Sequence, residues 1–291
     1  MEKRIVGSSL EVSSIGLGAI NFGTKVSEEQ SFNLMTEYAS LGGNFIDTAN
    51  NYAVWNGGDG RESERVIGKW LTHAKKHGKM VLATKVGALS AKGFEQMEGL
   101  SREVILRSVE KSLNSLQTDT IDLLYLHVDD FKTPQEEVME TLAELIREGV
   151  VQEIGCSNFF SWRLEKARQI CLVRDLPFFS AIQQRYSYLA PVIDADLFPQ
   201  VALNADMKSY LTTHLELTLV AYSPLLKGQY NTAEIIDSKY DTLENRERLA
   251  QLLLKEEKPN QWVLKHITGA FGGSVALVTT STIPHLREVM V

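Results

Sequence analysis

Eight short apolar runs recur along the chain, each separated from the next by a longer stretch: SIGLG, NFIDT, MVLATK, IDLLYLH, QEIGCSN, FSAIQQ, LTLVAYS and SVALVTT. Each is rich in β-branched or aromatic residues and continuous in polarity, as a parallel strand covered on both faces requires. Strands alternating with helices imply a parallel sheet flanked by helices. Eight such units in 291 residues suit a closed (β/α)8 TIM barrel, an α/β fold forming one domain over residues 1–291. A doubly wound sheet is the competing arrangement. IGLGAINFG, however, has Asn21 where a dinucleotide fingerprint needs its third glycine, and no long helix opens there.

The intervening stretches carry helix punctuation. Ser27-Glu28-Glu29-Gln30 is a capping box opening a helix toward Leu41, closed by Gly42 and Gly43. ESERVIGKWLTHAKKHG places Val66, Ile67, Trp70 and Leu71 at helical spacing and stops at Gly78. SREVILRSVEKSLNSL and SWRLEKARQICLV read as helices too, and TPQEEVMETLAELIREG has Thr133 as cap, Pro134 at the first helical position and Gly149 as terminator. Residues 194–215 and 245–267 are expected to be helical, the latter interrupted at Pro259.

Several function classes are set aside by the bulk properties. A net charge of -7 argues against a nucleic-acid binder, which needs a basic face for phosphates. Cys156 and Cys171 are too few for a disulfide framework or a cysteine-based metal site, and the six histidines do not cluster with carboxylates at strand ends, so no metal is expected. The N-terminus MEKRIVGSSLEV lacks an apolar leader, and no run approaches the roughly 20 apolar residues of a membrane span. A cytoplasmic protein without membrane or nucleic-acid partners is the expectation.

In such a barrel the active site is built from the C-terminal ends of the strands. The second run ends in Asp47, with Tyr52 in the loop beyond; the third ends in Thr84-Lys85 and the fourth in His127. Singly, each has an ordinary structural explanation as a turn former, loop aromatic, solvated strand end or core histidine. Together they make a proton donor. A lysine ammonium beside the tyrosine hydroxyl favours its ionised form, so Lys85 is expected to lower the pKa of Tyr52. An aspartate keeps the ammonium charged and oriented, and a histidine orients a carbonyl oxygen. The combination suits carbonyl reduction. On the remaining strands Ser157, Asn158 and Gln183 offer groups for pairing with a carboxamide, and Tyr222 offers an aromatic face for a flat heterocycle such as nicotinamide.

The ordered motifs IGLGAINFG, FIDTANNY, ESERVIG, ATKVG, DLLYLH, IGCSNF, IQQRYS, VAYSPL and PNQWVLKH resemble those of the aldo-keto reductases over essentially the whole chain. The resemblance implies a barrel plugged by a short N-terminal β-hairpin, RIVGSSLEVSSIG, and NADPH-dependent reduction of small aldehydes or ketones. It implies Asp47, Tyr52, Lys85 and His127 as the catalytic four, with Tyr52 the general acid and Asp47 also beside the cofactor. Ser157, Asn158 and Gln183 match the carboxamide contacts, Tyr222 the nicotinamide stack, and Gly18 and Ala19 the first cofactor loop. Ser223, Pro224, Leu225, Lys227 and Gly228 match the pyrophosphate loop. Thr280, Ser281, Thr282 and Arg287 are the groups available to the 2′-phosphate, although Val289 replaces an asparagine usual in the family, which leaves NADH as the alternative cofactor. Trp55 is expected to line the substrate pocket. A nicotinamide-cofactor-sensing regulatory protein on the same barrel is the alternative function.

Overall fold

The chain begins with an antiparallel hairpin, β1 (Lys3–Val6) and β2 (Leu10–Ser13), that turns through Gly7 at a φ of 62°. The structure is a computed structural model and describes residues 1–73, 80–90 and 93–290. After the hairpin come β3 (Ile15–Gly18), α1 (Glu28–Ser40), β4 (Phe45–Asp47), α2 (Glu62–His73) and β5 (Val81–Val86). A second hairpin follows, β6 (Leu89–Ser90) and β7 (Gly93–Met97), then α3 (Arg102–Leu116), β8 (Ile121–Leu126), α4 (Gln135–Arg147), β9 (Val151–Ser157) and α5 (Ser161–Arg174). The chain closes with β10 (Ala181–Arg185), α6 (Ala205–Thr213), β11 (Thr218–Tyr222), α7 (Leu243–Lys255), α8 (Pro259–Thr268), β12 (Val275–Val278) and α9 (Ile283–Val289).

All eight apolar runs are strands, paired in parallel in the order β3-β4-β5-β8-β9-β10-β11-β12, and β12 pairs back to β3 to close the barrel. Side chains alternate across each strand. In β5, Val81 and Ala83 point inward while Leu82 packs outward with Leu34 and Trp70 of the surrounding helices. Both faces are apolar because both are covered, which explains the continuous runs. The interior is filled by Phe45, Val81, Ala83, Leu123, Tyr125, Ala181, Val220, Val275 and Leu277. Val6, Leu10 and Val12 of the N-terminal hairpin join this cluster from below. Hydrogen bonds from Arg4 to the Thr268 carbonyl at 3.0 Å, from the Ser8 amide to Glu153 at 2.8 Å and from Thr218 to the Ile5 carbonyl at 3.3 Å hold the plug in place.

The helices depart from expectation in detail. Ser27 and Gln30 form the full capping box of α1. Pro134, not Thr133, is the N-cap of α4, because Thr133 turns its hydroxyl onto Asp130 at 2.6 Å. Residues 194–215 are helical only at Ala205–Thr213. Pro199 cannot donate a helical hydrogen bond; the backbone of Val201 and Leu203 pairs instead with Arg185 at the end of β10, and Asn204 caps the helix that finally starts. Residues 283–289, of which only Arg287 was expected to have a role, at a phosphate, form the short helix α9 with Thr282 as cap. Gly78, the expected terminator of α2, lies outside the described residues.

Candidate active site

Alternation carries each inward apolar residue up to a polar one at the mouth. Phe45 is followed on its face by Asp47, Ala83 by Lys85, Tyr125 by His127, Gly155 by Ser157, Ala181 by Gln183 and Val220 by Tyr222. The loop after β4 stays tethered to β5 through Thr48 N to the Ala83 carbonyl at 2.9 Å and Asn50 N to the Lys85 carbonyl at 3.0 Å. Tyr52 is thereby returned over the end of Lys85.

The result is a buried hydrogen-bonded cluster. Lys85 Nζ donates to Asp47 Oδ1 at 2.5 Å, to Tyr52 OH at 2.7 Å and to the Thr48 carbonyl at 2.8 Å. Lys85 and Asp47 are 0% and 1% exposed. Tyr52 OH also lies 3.4 Å from Asp47 Oδ1, and its ring stands edge-on to His127 with centroids 6.0 Å apart. Burial lowers the pKa of Lys85 while the Asp47 charge opposes that shift. The expected lowering of the Tyr52 pKa is not what the free site shows. Burial of the phenol, reinforced by the Asp47 carboxylate, holds it well above its ordinary value, so the hydroxyl keeps its proton. His127 is pushed well below the usual imidazole range by burial and then by Lys85, and is therefore neutral. A neutral imidazole retains one N–H to donate to an oxygen.

The expected carboxamide contacts are partly committed to one another. Asn158, at a φ of 59°, donates to the His127 carbonyl at 3.0 Å and to Ser157 Oγ at 3.1 Å, and it accepts from Val201 N at 3.0 Å and Tyr222 OH at 2.7 Å. Gln183 Nε2 donates to Asp47 Oδ2 at 2.8 Å. Among the described residues this leaves the Ser157 hydroxyl proton without an acceptor and Gln183 Oε1 without a donor. A donor beside an acceptor is the complement of a primary amide, so the residues present fit a nicotinamide carboxamide. Gly18 lies against Thr279: a Cβ there would come 2.8 Å from the Thr279 hydroxyl oxygen. Ala19 N donates to the Asp47 carbonyl at 2.9 Å. Ser223, Leu226, Lys227 and Gly228 all have positive φ, winding residues 223–228 into a tight reversed loop around buried Pro224 and half-buried Leu225. Loops of this kind present backbone N–H groups to anions.

The outer residues divide. Trp55 is 38% exposed and edge-on to Tyr52, with centroids 6.3 Å apart, at the mouth. Thr280 and Ser281 are on the exposed turn before α9, whereas Thr282 caps that helix and Arg287 donates to Glu37 of α1 at 2.6 Å. Two groups in or next to the cluster escaped the sequence reading. The Thr48 carbonyl acts through backbone and leaves no residue-type signal. Tyr125 was visible, since it precedes His127 by two residues and must share its face.

Residues 14–290 match the Aldo/keto reductase family. An uncharacterized oxidoreductase of Bacillus subtilis, YrpG, is 36% identical over 233 residues, covering 78% of this chain and 68% of that protein. The norsolorinic acid reductase stcV of Emericella nidulans is 32% identical over 239 residues, covering 78% of this chain and 57% of that one. The chain thus spans little more than half the length of the second relative. An aldo-keto reductase from Bacillus halodurans, solved in its holo form, superposes with a TM-score of 0.77 at 25% identity, covering 100% of this chain and 90% of that one. On the match to residues 14–290 together with these relatives, the chain belongs to the aldo/keto reductase family.

Proposed function

We propose that the protein reduces the carbonyl group of small aldehydes or ketones to an alcohol, with Tyr52 as general acid. A bound reduced nicotinamide supplies the hydride. The observation that carries the reading is the cluster in which Lys85 Nζ contacts both Asp47 and the Tyr52 hydroxyl, opposite a neutral His127. His127 orients the substrate oxygen with its remaining N–H. Tyr52, held protonated in the free site, gives its proton to that oxygen as negative charge develops on it. The Lys85 ammonium, 2.7 Å from the phenol oxygen, stabilises the phenolate left behind. Asp47 balances the ammonium within a site closed to water. Ser157 and Gln183 hold the carboxamide, with Asn158 and Tyr222 behind them; the loop from Ser223 to Gly228, with Gly18 and Ala19, receives the rest of the cofactor. Thr280, Ser281, Thr282 and Arg287 favour NADPH. Because Arg287 is already bonded to Glu37, NADH is expected to be accepted as well.

Oxidation of NADPH with a panel of aldehydes, run beside Tyr52→Phe, tests this. Wild type is expected to turn over. The variant should lose about 10²–10⁴-fold in rate, the usual contribution of a general acid, while binding cofactor as before. Cofactor binding without turnover by wild type, or full activity in the variant, overturns the reading.

A further inference from the structure

The barrel interior holds a polar group that this reaction leaves unused. Tyr125 on β8 is fully buried, and its hydroxyl has no hydrogen-bond partner among the described residues. Leaving a buried hydroxyl unpaired is costly, and phenylalanine would fill the same space without that cost. Strand register sets Tyr125 beside Lys85 on one side and Gly155 on the other. A Cβ at Gly155 would come within 2.6 Å of ring atoms Cδ1 and Cε1 of Tyr125, so the glycine leaves room for the ring to lie across β9. Gly155 pairs in turn with Ala181, and the next residue up on that face of β10 is Gln183. Tyr125 therefore forms the floor beneath the Asp47–Gln183 contact. The Gln183 side chain pulls the phenol's pKa down against the stronger effects of burial and the Asp47 charge, as a polar group beside the hydroxyl does. The two nevertheless form no hydrogen bond in the ligand-free site. Hydrogen bonds in active sites are often long in ligand-free proteins and tighten in the complex.

We infer that Tyr125 is a positioning residue for the cofactor's carboxamide: on binding, its hydroxyl closes onto Gln183 and fixes that side chain with Nε2 inward and Oε1 toward the cofactor. The inference rests on the reading of Ser157 and Gln183 as the amide site given above. Its test is Tyr125→Phe in the full chain, measured by thermal melting without ligand and by calorimetric titration with two nucleotides. One is NADPH; the other is 2′-phospho-ADP-ribose, which lacks the nicotinamide and so makes no demand on Gln183. The variant should melt at or above wild type and bind 2′-phospho-ADP-ribose within twofold of it. Its Kd for NADPH should rise about tenfold, one ordinary hydrogen bond. Unchanged NADPH affinity, equal losses for both nucleotides, or a free variant melting several degrees lower each overturn the inference. If wild type itself binds NADPH no better than 2′-phospho-ADP-ribose, the amide site fails first and takes this inference with it.

Discussion

Lys85 and Asp47 place opposite charges where water does not reach, and each needs the other there. Removing two ions from water costs several kcal/mol apiece, which their attraction and added hydrogen bonds offset. Lys85→Met strands the carboxylate and Asp47→Asn strands the ammonium. Each single variant should lose about 3–5 kcal/mol of stability, whereas the double variant recovers most of that loss. Denaturant unfolding of these three proteins beside wild type measures the coupling, and all three should be inactive because Tyr52 loses either Lys85 or the carboxylate that holds Lys85 in place. The identities of Asp47, Tyr52, Lys85 and His127 were legible in the sequence, since polar residues at the ends of apolar strands declare themselves. Their ionisation was not. The Tyr52 pKa moves up instead of down because burial and Asp47 act on it together, and burial is set by neighbours distant in sequence.

Between elements, α2 is fastened to β5 by a carboxyl group. Glu64 is fully buried and accepts from Thr84 at 2.7 Å, while its Oε2 and the Ser112 hydroxyl on α3 lack partners among the described residues. Burial raises the Glu64 pKa above the usual carboxylate value, against the lowering effect of Thr84 and Ser112. The folded chain thus holds a proton that the unfolded chain releases. Between the unfolded value of about 4.3 and the raised folded value, stability falls as pH rises. Glu64→Gln keeps an acceptor for Thr84 and offers an N–H toward Ser112. It should be more stable than wild type at pH near 8 by about 1 kcal/mol, the net worth of one hydrogen bond. That advantage should vanish below the unfolded carboxyl pKa of about 4.3, where wild type is protonated in both states. Melting temperature followed against pH reads it. Helix punctuation was dependable where the cap bonds locally, as Ser27 with Gln30 does. It failed at residues 194–204, where Val201 and Leu203 bond to Arg185 and Asn158 and the other backbone bonds close isolated turns, not a helix.

For the molecule as a whole, the barrel separates a plugged end from the end that carries the candidate site. Leu10, with Val6 and Val12, closes the interior beneath Phe45 and Leu123. Leu10→Ala should cost about 2–5 kcal/mol for the lost burial and the cavity left behind. Cofactor affinity of the folded variant should stay at the wild-type value, because the plug and the mouth are at opposite ends of the strands; paired unfolding and binding titrations check both. The sequence by itself determined the eightfold alternation, the strand order around the ring and which residues rise at the mouth. Those follow from periodicity, a property of neighbours along the chain. Only the tertiary structure decided that Arg287 bonds to Glu37, that Thr282 caps a helix, that Asn158 is held by Val201 and Tyr222, and that the Tyr125 hydroxyl stands unpaired among the described residues. Hydrogen-bond partners and desolvation come from groups tens to hundreds of residues apart, and they meet only when the barrel closes.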